Sequence, residues 1–281
     1  MMRAYHKDEA FLEEVRNMDL HDDSIALWWL GQSGYLIKWK HYHILIDPYL
    51  SDSLTIKYQN TDKPHVRMTE RVVDPRKLDF VDLVTSSHNH TDHLDSSTLE
   101  PLSMVNVGLR MVAPRANQEM VRHRSSLKTG SIFYLNEEET VFFPGGLSIT
   151  GVCAAHNRLD KDPEGNCLYM GFLFRFGDMT MYHSGDTLWH ERMVDFLKEF
   201  KKIDIAILPI NGNKPERRVA GNLDAAEAVN LAKQMNASVL IPCHYHMFEF
   251  NTVDPDEFEV LAKSQSQNYV VLKNGQGFTY P

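Results

Sequence analysis

Apolar residues fall in short blocks along the 281-residue chain, and their spacing predicts a mixed α/β protein. Phe11, Leu12 and Val15 sit at helical spacing among acidic residues between Lys7 and Arg16, which marks residues 1–20 as an N-terminal helical arm. Runs at Ile25–Leu30, Tyr35–Ile37 and Ile44–Ile46 then read as short strands, punctuated by Gly31, Gly34 and the Lys40-His41 turn. Phe80–Ser86 reads as a buried strand and Ala116–Arg124 as a helix. Strands follow at Ile132–Leu135, Val141–Phe143, Leu147–Val152, Leu168–Phe176 and Met179–His183. The last third alternates: strand Ile205–Leu208, helix Asp224–Met235 with Asp224 as its N-cap, strand Val239–Ile241, and a helix near Pro255–Lys263. Only Tyr49–Pro75 breaks the rhythm. It is polar, lacks periodicity and holds two prolines, so it reads as an extended loop, a type of segment that often carries function. No linker or low-complexity run divides the chain, so residues 1–281 are expected to form a single domain.

Composition narrows the partners. Twenty-nine basic against 38 acidic side chains give a formal charge of -9, a field that opposes a long nucleic-acid track but tolerates a small anionic ligand. No apolar run is long enough to span a membrane, and Met1–Leu20 lacks a signal-like core. The three cysteines, Cys153, Cys167 and Cys243, form no spaced framework. They are expected to be reduced thiols in a cytoplasmic protein. The sequence leaves a homo-oligomer open.

The chemistry concentrates in His88-Asn89-His90-Thr91-Asp92-His93, immediately after a buried strand. Three imidazoles and a carboxylate in six residues suit zinc, manganese or iron. An oxygen-only magnesium or calcium site would not recruit so many histidines. On a tight loop, His88 and His90 can face one ion while Asp92 and His93 face another about 3.5–4 Å away.

His-x-His-x-Asp-His after a buried strand resembles the signature of the metallo-β-lactamase superfamily, which implies a four-layer αββα sandwich and two divalent metal ions, Zn or Mn with Fe not excluded. The resemblance carries three further ligands onto this chain: His156 after a later strand, Asp186 in Ser184-Gly185-Asp186, and His244 in Ile241-Pro242-Cys243-His244. It implies His88, His90 and His156 on one ion, Asp92, His93 and His244 on the other, and Asp186 bridging. His246 competes with His244, because a strand's period of two places both on one face. Within the superfamily, four segments resemble the L-ascorbate-6-phosphate lactonase group: Trp28–Gly34, Tyr182–Asp186, Ile241–His246 and Gly277–Pro281.

The implied activity is hydrolysis of a lactone or related ester, phosphorylated or not, by a metal-activated water whose proton Asp92 handles. A phosphodiesterase acting on a small or lipid phosphodiester is the alternative, and a noncatalytic metal-dependent binding protein is the alternative from another class. Asp47 matches a position that supports the ligand loop, and His183 is either a similar support or a packed core histidine. Arg158, Arg217, Arg218 and Asn222 are candidates for holding an anionic substrate, with Lys161 competing for the role of Arg158. His6, His21, His41, His43, His65, His123 and His190 have no ligand-like context. Trp28 and Trp29 sit in a strand, where at least one is expected to be core.

Overall fold

The computed structural model describes residues 1–21 and 24–281. In chain order the elements are α1 (Glu9–Asn17), β1 (Ile25–Gly31), β2 (Gly34–Trp39), β3 (Tyr42–Ile46), α2 (Ser53–Tyr58), β4 (Leu83–Thr85), α3 (Ser96–Val105), β5 (Arg110–Pro114), α4 (Gln118–Ser125) and β6 (Ile132–Leu135). They continue with β7 (Thr140–Phe143), β8 (Leu147–Cys153), β9 (Met170–Phe176), β10 (Met179–His183), α5 (Glu191–Lys198), β11 (Ile203–Pro209), α6 (Ala225–Gln234), β12 (Ala237–Cys243), α7 (Asp256–Ser264) and β13 (Gly277–Tyr280). One sheet has the order β13-β1-β2-β3-β4-β5-β6 and the other β12-β11-β10-β9-β8-β7.

The alternation of side chains along a strand explains the layers. In β1, Ile25, Leu27 and Trp29 pack into the core shared with the second sheet. Their neighbours Ala26, Trp28 and Leu30 pack instead with Phe11, Leu12 and Val15 of α1 and with Leu99 and Leu102 of α3. Both faces are covered, so all seven residues of β1 are buried and its sequence reads as a continuous apolar run. Both Trp28 and Trp29 are therefore core residues. On the second sheet, Met193, Val194 and Leu197 of α5, Val229 and Leu231 of α6, and Phe258 of α7 complete the outer layer. The result is the four-layer αββα sandwich.

Several expectations need correction. Tyr49–Pro75 is not structureless: it contains α2, Leu54 is buried, and Arg67 pins the segment by donating to Asp52 Oδ1 at 2.8 Å and to the Ser51 carbonyl. The Phe80–Ser86 strand shrinks to the three residues of β4. Cys153 and Cys167 form a disulfide, with Cα atoms 5.8 Å apart, and only Cys243 is free, buried in the core. The pairing follows from topology. β8 and β9 are antiparallel neighbours with Cys153 opposite Met170, so the excursion between them returns Cys167 beside its starting point. The cross-link removes the thiol-based ground for a reducing compartment. Among the described residues, no helix is long and apolar enough to cross a membrane.

Candidate metal centre

Strands β4, β8, β10 and β12 end on the same edge of the sandwich, and each end delivers part of one cluster. Carboxyl ends of strands are where open α/β sheets expose backbone and side chains for chemistry. After β4, the Ser86 hydroxyl donates to the His88 carbonyl at 2.9 Å, and the amides of His93 and Leu94 donate to the His90 carbonyl at 3.1 and 2.8 Å. The loop is thereby a closed turn. Arg124, at the end of α4, clamps it by donating from Nη1 to the carbonyls of Asn89 at 2.7 Å and Leu94 at 3.4 Å.

Asp47, fully buried past the end of β3, organises the same loop from below. Its Oδ1 accepts the Ser87 amide at 2.9 Å, and its Oδ2 accepts His93 Nδ1–H at 2.6 Å and the Ser87 hydroxyl. A carboxylate on Nδ1 fixes the tautomer of His93 and turns the Nε2 lone pair toward the cluster. His156, beyond β8, is set in the same way by donating Nδ1–H to the Gly221 carbonyl at 2.9 Å. His183, the last residue of β10, donates Nε2–H to the Ser33 carbonyl at 2.9 Å and accepts the Gly185 amide on Nδ1 at 3.2 Å. It lies behind the cluster and braces the turn that carries Asp186. That turn needs glycine: Gly185 has φ +58°, and a Cβ there would stand 2.6 Å from the Ser87 Cβ and 2.7 Å from the Met170 carbonyl.

At the centre, Asp186 Oδ2 lies 3.3 Å from His244 Nε2, 3.4 Å from His93 Nε2 and 3.5 Å from His156 Nε2. Asp92 Oδ2 lies 3.7 Å from His93 Nε2. Two ligands bound at about 2.1 Å to one tetrahedral cation stand about 3.4 Å apart, so these gaps are the edges of coordination polyhedra, too long for good hydrogen bonds. The donor atoms of His88, His90 and His156 form one close group and those of Asp92, His93 and His244 a second, while Asp186 also groups with His88 and His93. Nε2 of His88 and of His93 are buried without a hydrogen-bond partner among the described residues. Orphaned lone pairs in a dry site cost about 1–3 kcal/mol each unless a cation takes them, so the donor set fits two divalent ions.

The protonation states suit cations as well. Burial, helped by the neighbouring His93, pushes His88 well below the usual imidazole range, and burial takes His156 down to about 4. Burial would raise Asp186, but His244 and His93 outweigh it and hold the carboxyl well below its ordinary value. His88 and His156 are thus neutral and Asp186 ionised, the ligand forms a metal requires, whereas His93, despite its burial, is held well above the usual imidazole range by Asp186 and Asp92 and would give up that proton to a bound cation.

His246 stays outside the cluster. β12 ends at Cys243, and both His244 and His246 adopt left-handed backbone, so the strand's period of two no longer applies. His244 turns inward, while His246 is 3.8 Å from Asp254. Gln32, inside the Trp28–Gly34 segment but given no role by sequence, connects the cluster to the first sheet. Its Nε2 donates to Asp92 Oδ2 at 2.8 Å and stands 3.1 Å from His244 Nε2, and its carbonyl accepts the His244 amide at 3.0 Å.

A cavity of about 510 Å³ opens over the cluster. Of the four substrate-contact candidates, only Arg218 lines it. Arg158 is an exposed side chain paired with Asp160 at 2.5 Å. Arg217 is spent on structure, donating to the Asn211 carbonyl at 2.7 Å, Asn251 Oδ1 at 3.0 Å and the Thr252 carbonyl at 2.8 Å. Asn222 is buried behind the wall, with Nδ2 on Asn211 Oδ1 at 3.0 Å. Lys161 faces Glu137 at 3.5 Å. The cavity cations beside Arg218 are Lys57, Lys63 and Arg124. Sequence reading missed these three because nothing in a polar loop or a helix end announces which face meets a distant metal loop.

A family model described as a beta-lactamase superfamily domain matches residues 26–244. A metal-dependent hydrolase from Pyrococcus horikoshii is 30% identical over 90% of this chain and 98% of its own. A protein named as a probable L-ascorbate-6-phosphate lactonase from Escherichia coli is 22% identical over 96% of this chain and 84% of its own. Among solved structures, a metallo hydrolase from Ignicoccus hospitalis superposes with a TM-score of 0.67, at 22% identity over 92% of this chain and 99% of that one. With four strand ends gathering histidines and aspartates at one edge of an αββα sandwich, and with a family model spanning most of the sandwich, this chain belongs to the metallo-β-lactamase superfamily of metal-dependent hydrolases.

Proposed function

We propose that this hydrolase cleaves an anionic lactone or related ester, using His88, His90 and His156 for one divalent ion, Asp92, His93 and His244 for a second, and Asp186 for both. The observation that carries the reading is the position of Asp186 Oδ2, 3.3–3.5 Å from three imidazole nitrogens contributed by three different chain segments. Two divalent cations there would lower the pKa of a water and polarise the oxygen of the bond under attack. The chain's own residues do the rest. Asp92, held by Gln32, presents a carboxylate at the cavity floor that orients the attacking water and takes its proton. Asp47 and the Gly221 carbonyl keep His93 and His156 in single tautomers. Lys57 and Lys63 place positive charge on the cavity wall, against the overall charge of -9, while the charge of Arg218 is offset by Asp62 at 2.7 Å, and the two lysines favour a substrate with a carboxylate or phosphate group. The lactone preference is supported by the name of the Escherichia coli relative and by a cavity sized for a small molecule.

A panel of chromogenic lactones, esters and phosphodiesters, run with zinc- or manganese-loaded and chelated protein, tests this reading. Metal-dependent cleavage led by an anionic lactone or ester is expected. A phosphodiester as the preferred substrate would replace the lactone assignment. With Asp92→Asn, kcat is expected to fall about 10²–10⁴-fold even at saturating metal, with the second ion bound more weakly. Unchanged turnover in that variant would remove Asp92 from the chemistry.

A further inference from the structure

His65 has no ligand-like neighbours in sequence, yet it lines the same cavity as Asp92, His90, His156 and His244. Its ring is held on several sides. It stacks on Tyr58 with centroids 4.2 Å apart and planes 21° apart, and it meets Phe248 and Phe250 edge-on at 5.1 and 4.6 Å. The backbone around it is tied down as well. The Thr55 hydroxyl donates to the His65 carbonyl at 2.7 Å, and the Glu249 amide donates to the Val66 carbonyl at 3.0 Å.

The tautomer is also determined. Nδ1 lies 2.9 Å from the Lys63 carbonyl, and a carbonyl only accepts, so Nδ1 carries the proton. Nε2 is then a lone-pair acceptor, and it has no hydrogen-bond partner among the described residues. Lysines 57 and 63 sit on the same wall, where each adds positive charge. A histidine whose position and tautomer are both set before any ligand arrives is built to read a hydrogen-bond donor.

We infer that His65 Nε2 accepts a hydrogen bond from a hydroxyl of the substrate, so that the cavity selects a hydroxylated anion over its deoxy counterpart. This deepens the hydrolase reading above and rests on it for the identity of the reaction. Tyr58 stacked on the ring and Phe250 edge-on to it hold the acceptor in place, and the lysines supply the anion contact. The substrate class is therefore a small hydroxylated carboxylate or phosphate carrying the ester or lactone to be opened. A site that pairs with a hydroxyl discriminates against the analogue lacking it because the bound analogue displaces water from the acceptor without replacing its hydrogen bond.

The test uses metal-loaded full-length protein and two readouts. Calorimetric binding of gluconate and of hexanoate is compared for wild type, His65→Phe and His65→Gln, with metal content and Tm checked for each. Wild type is expected to prefer gluconate by about tenfold or more. His65→Phe, which keeps a stackable ring, is expected to cut that ratio about tenfold, and His65→Gln to restore part of it through its amide oxygen. In turnover, the kcat/KM ratio of gluconolactone to δ-valerolactone should fall in parallel in His65→Phe, with the change carried by KM. Equal weakening of both anions in His65→Phe, or no preference in wild type, overturns the proposal. Retained gluconate selectivity without turnover of either lactone leaves the hydroxyl site standing and defeats the lactone reading instead.

Discussion

Asp47 shows how much one carboxylate can hold. It accepts from Ser87 and His93 while fully buried, so its truncation would leave a ring N–H and a main-chain amide without partners. Asp47→Ala is expected to weaken metal binding about 10–100-fold in chelator competition, as loss of a ligand's supporting carboxylate generally does. Unchanged affinity would mean that the hydrogen bond to His93 is incidental. Lys63 belongs to the same scale: Lys63→Met should raise KM for an anionic ester more than for an uncharged one, and equal effects on both would deny it an electrostatic role. Residues of the His88–His93 motif were legible in sequence because their density has few other uses, and His156, Asp186 and His244 because their local patterns resemble a family. Gln32, His65 and Arg124 were not. A glutamine, a lone histidine and a helix-terminal arginine take on meaning only when folding brings them to the cavity, 60 or more positions from Asp92 in the case of Gln32.

At the level of elements, local chemistry explains which segments could be read. Asp224 caps α6 with a reciprocal capping box, its side chain accepting from the Glu227 amide at 2.8 Å while Glu227 returns to the Asp224 amide at 3.0 Å. Asp224→Ala should cost about 1 kcal/mol and lower Tm by about 2–4 °C in a thermal melt. No change in Tm would show that α6 is held by its packing alone. By contrast, α3 begins Ser96-Ser97-Thr98 and contains Pro101, a composition with poor helical propensity that is rescued by Leu99 and Leu102 packing on the first sheet. β5 is short and takes its conformation from the sheet it joins, whereas α5 carries a local signal, Met193, Val194 and Leu197 at helical spacing behind an N-cap at His190, that went unread. The turn after β10 is where an element and the site meet. Gly185→Ala would force a Cβ into Ser87 at a positive φ, so it should release metal and activity together, as read by elemental analysis of the purified variant. Full metal content in that variant would show that the turn can adjust.

For the whole molecule, periodicity predicted a mixed α/β chain and the family resemblance carried by the metal motif implied the sandwich, whereas the cysteine pairing and the cavity wall depended on contacts between distant segments. The Cys153–Cys167 bond closes an excursion that carries His156, and a loop of about 15 residues closed in this way is worth about 3 kcal/mol in the chain-entropy view. Thiol titration of the unfolded, unreduced protein should therefore find a single free thiol, Cys243, where three would show the bond absent. The central claim is that Asp186 stands between two cations. Its most direct test is a titration of chelated protein with zinc or manganese, following bound metal per chain and hydrolysis together. The account predicts that activity on the preferred substrate rises to its maximum at two ions per chain and that Asp186→Asn lowers both quantities. Full activity with no bound metal, or metal binding that ignores the loss of Asp186, would contradict it.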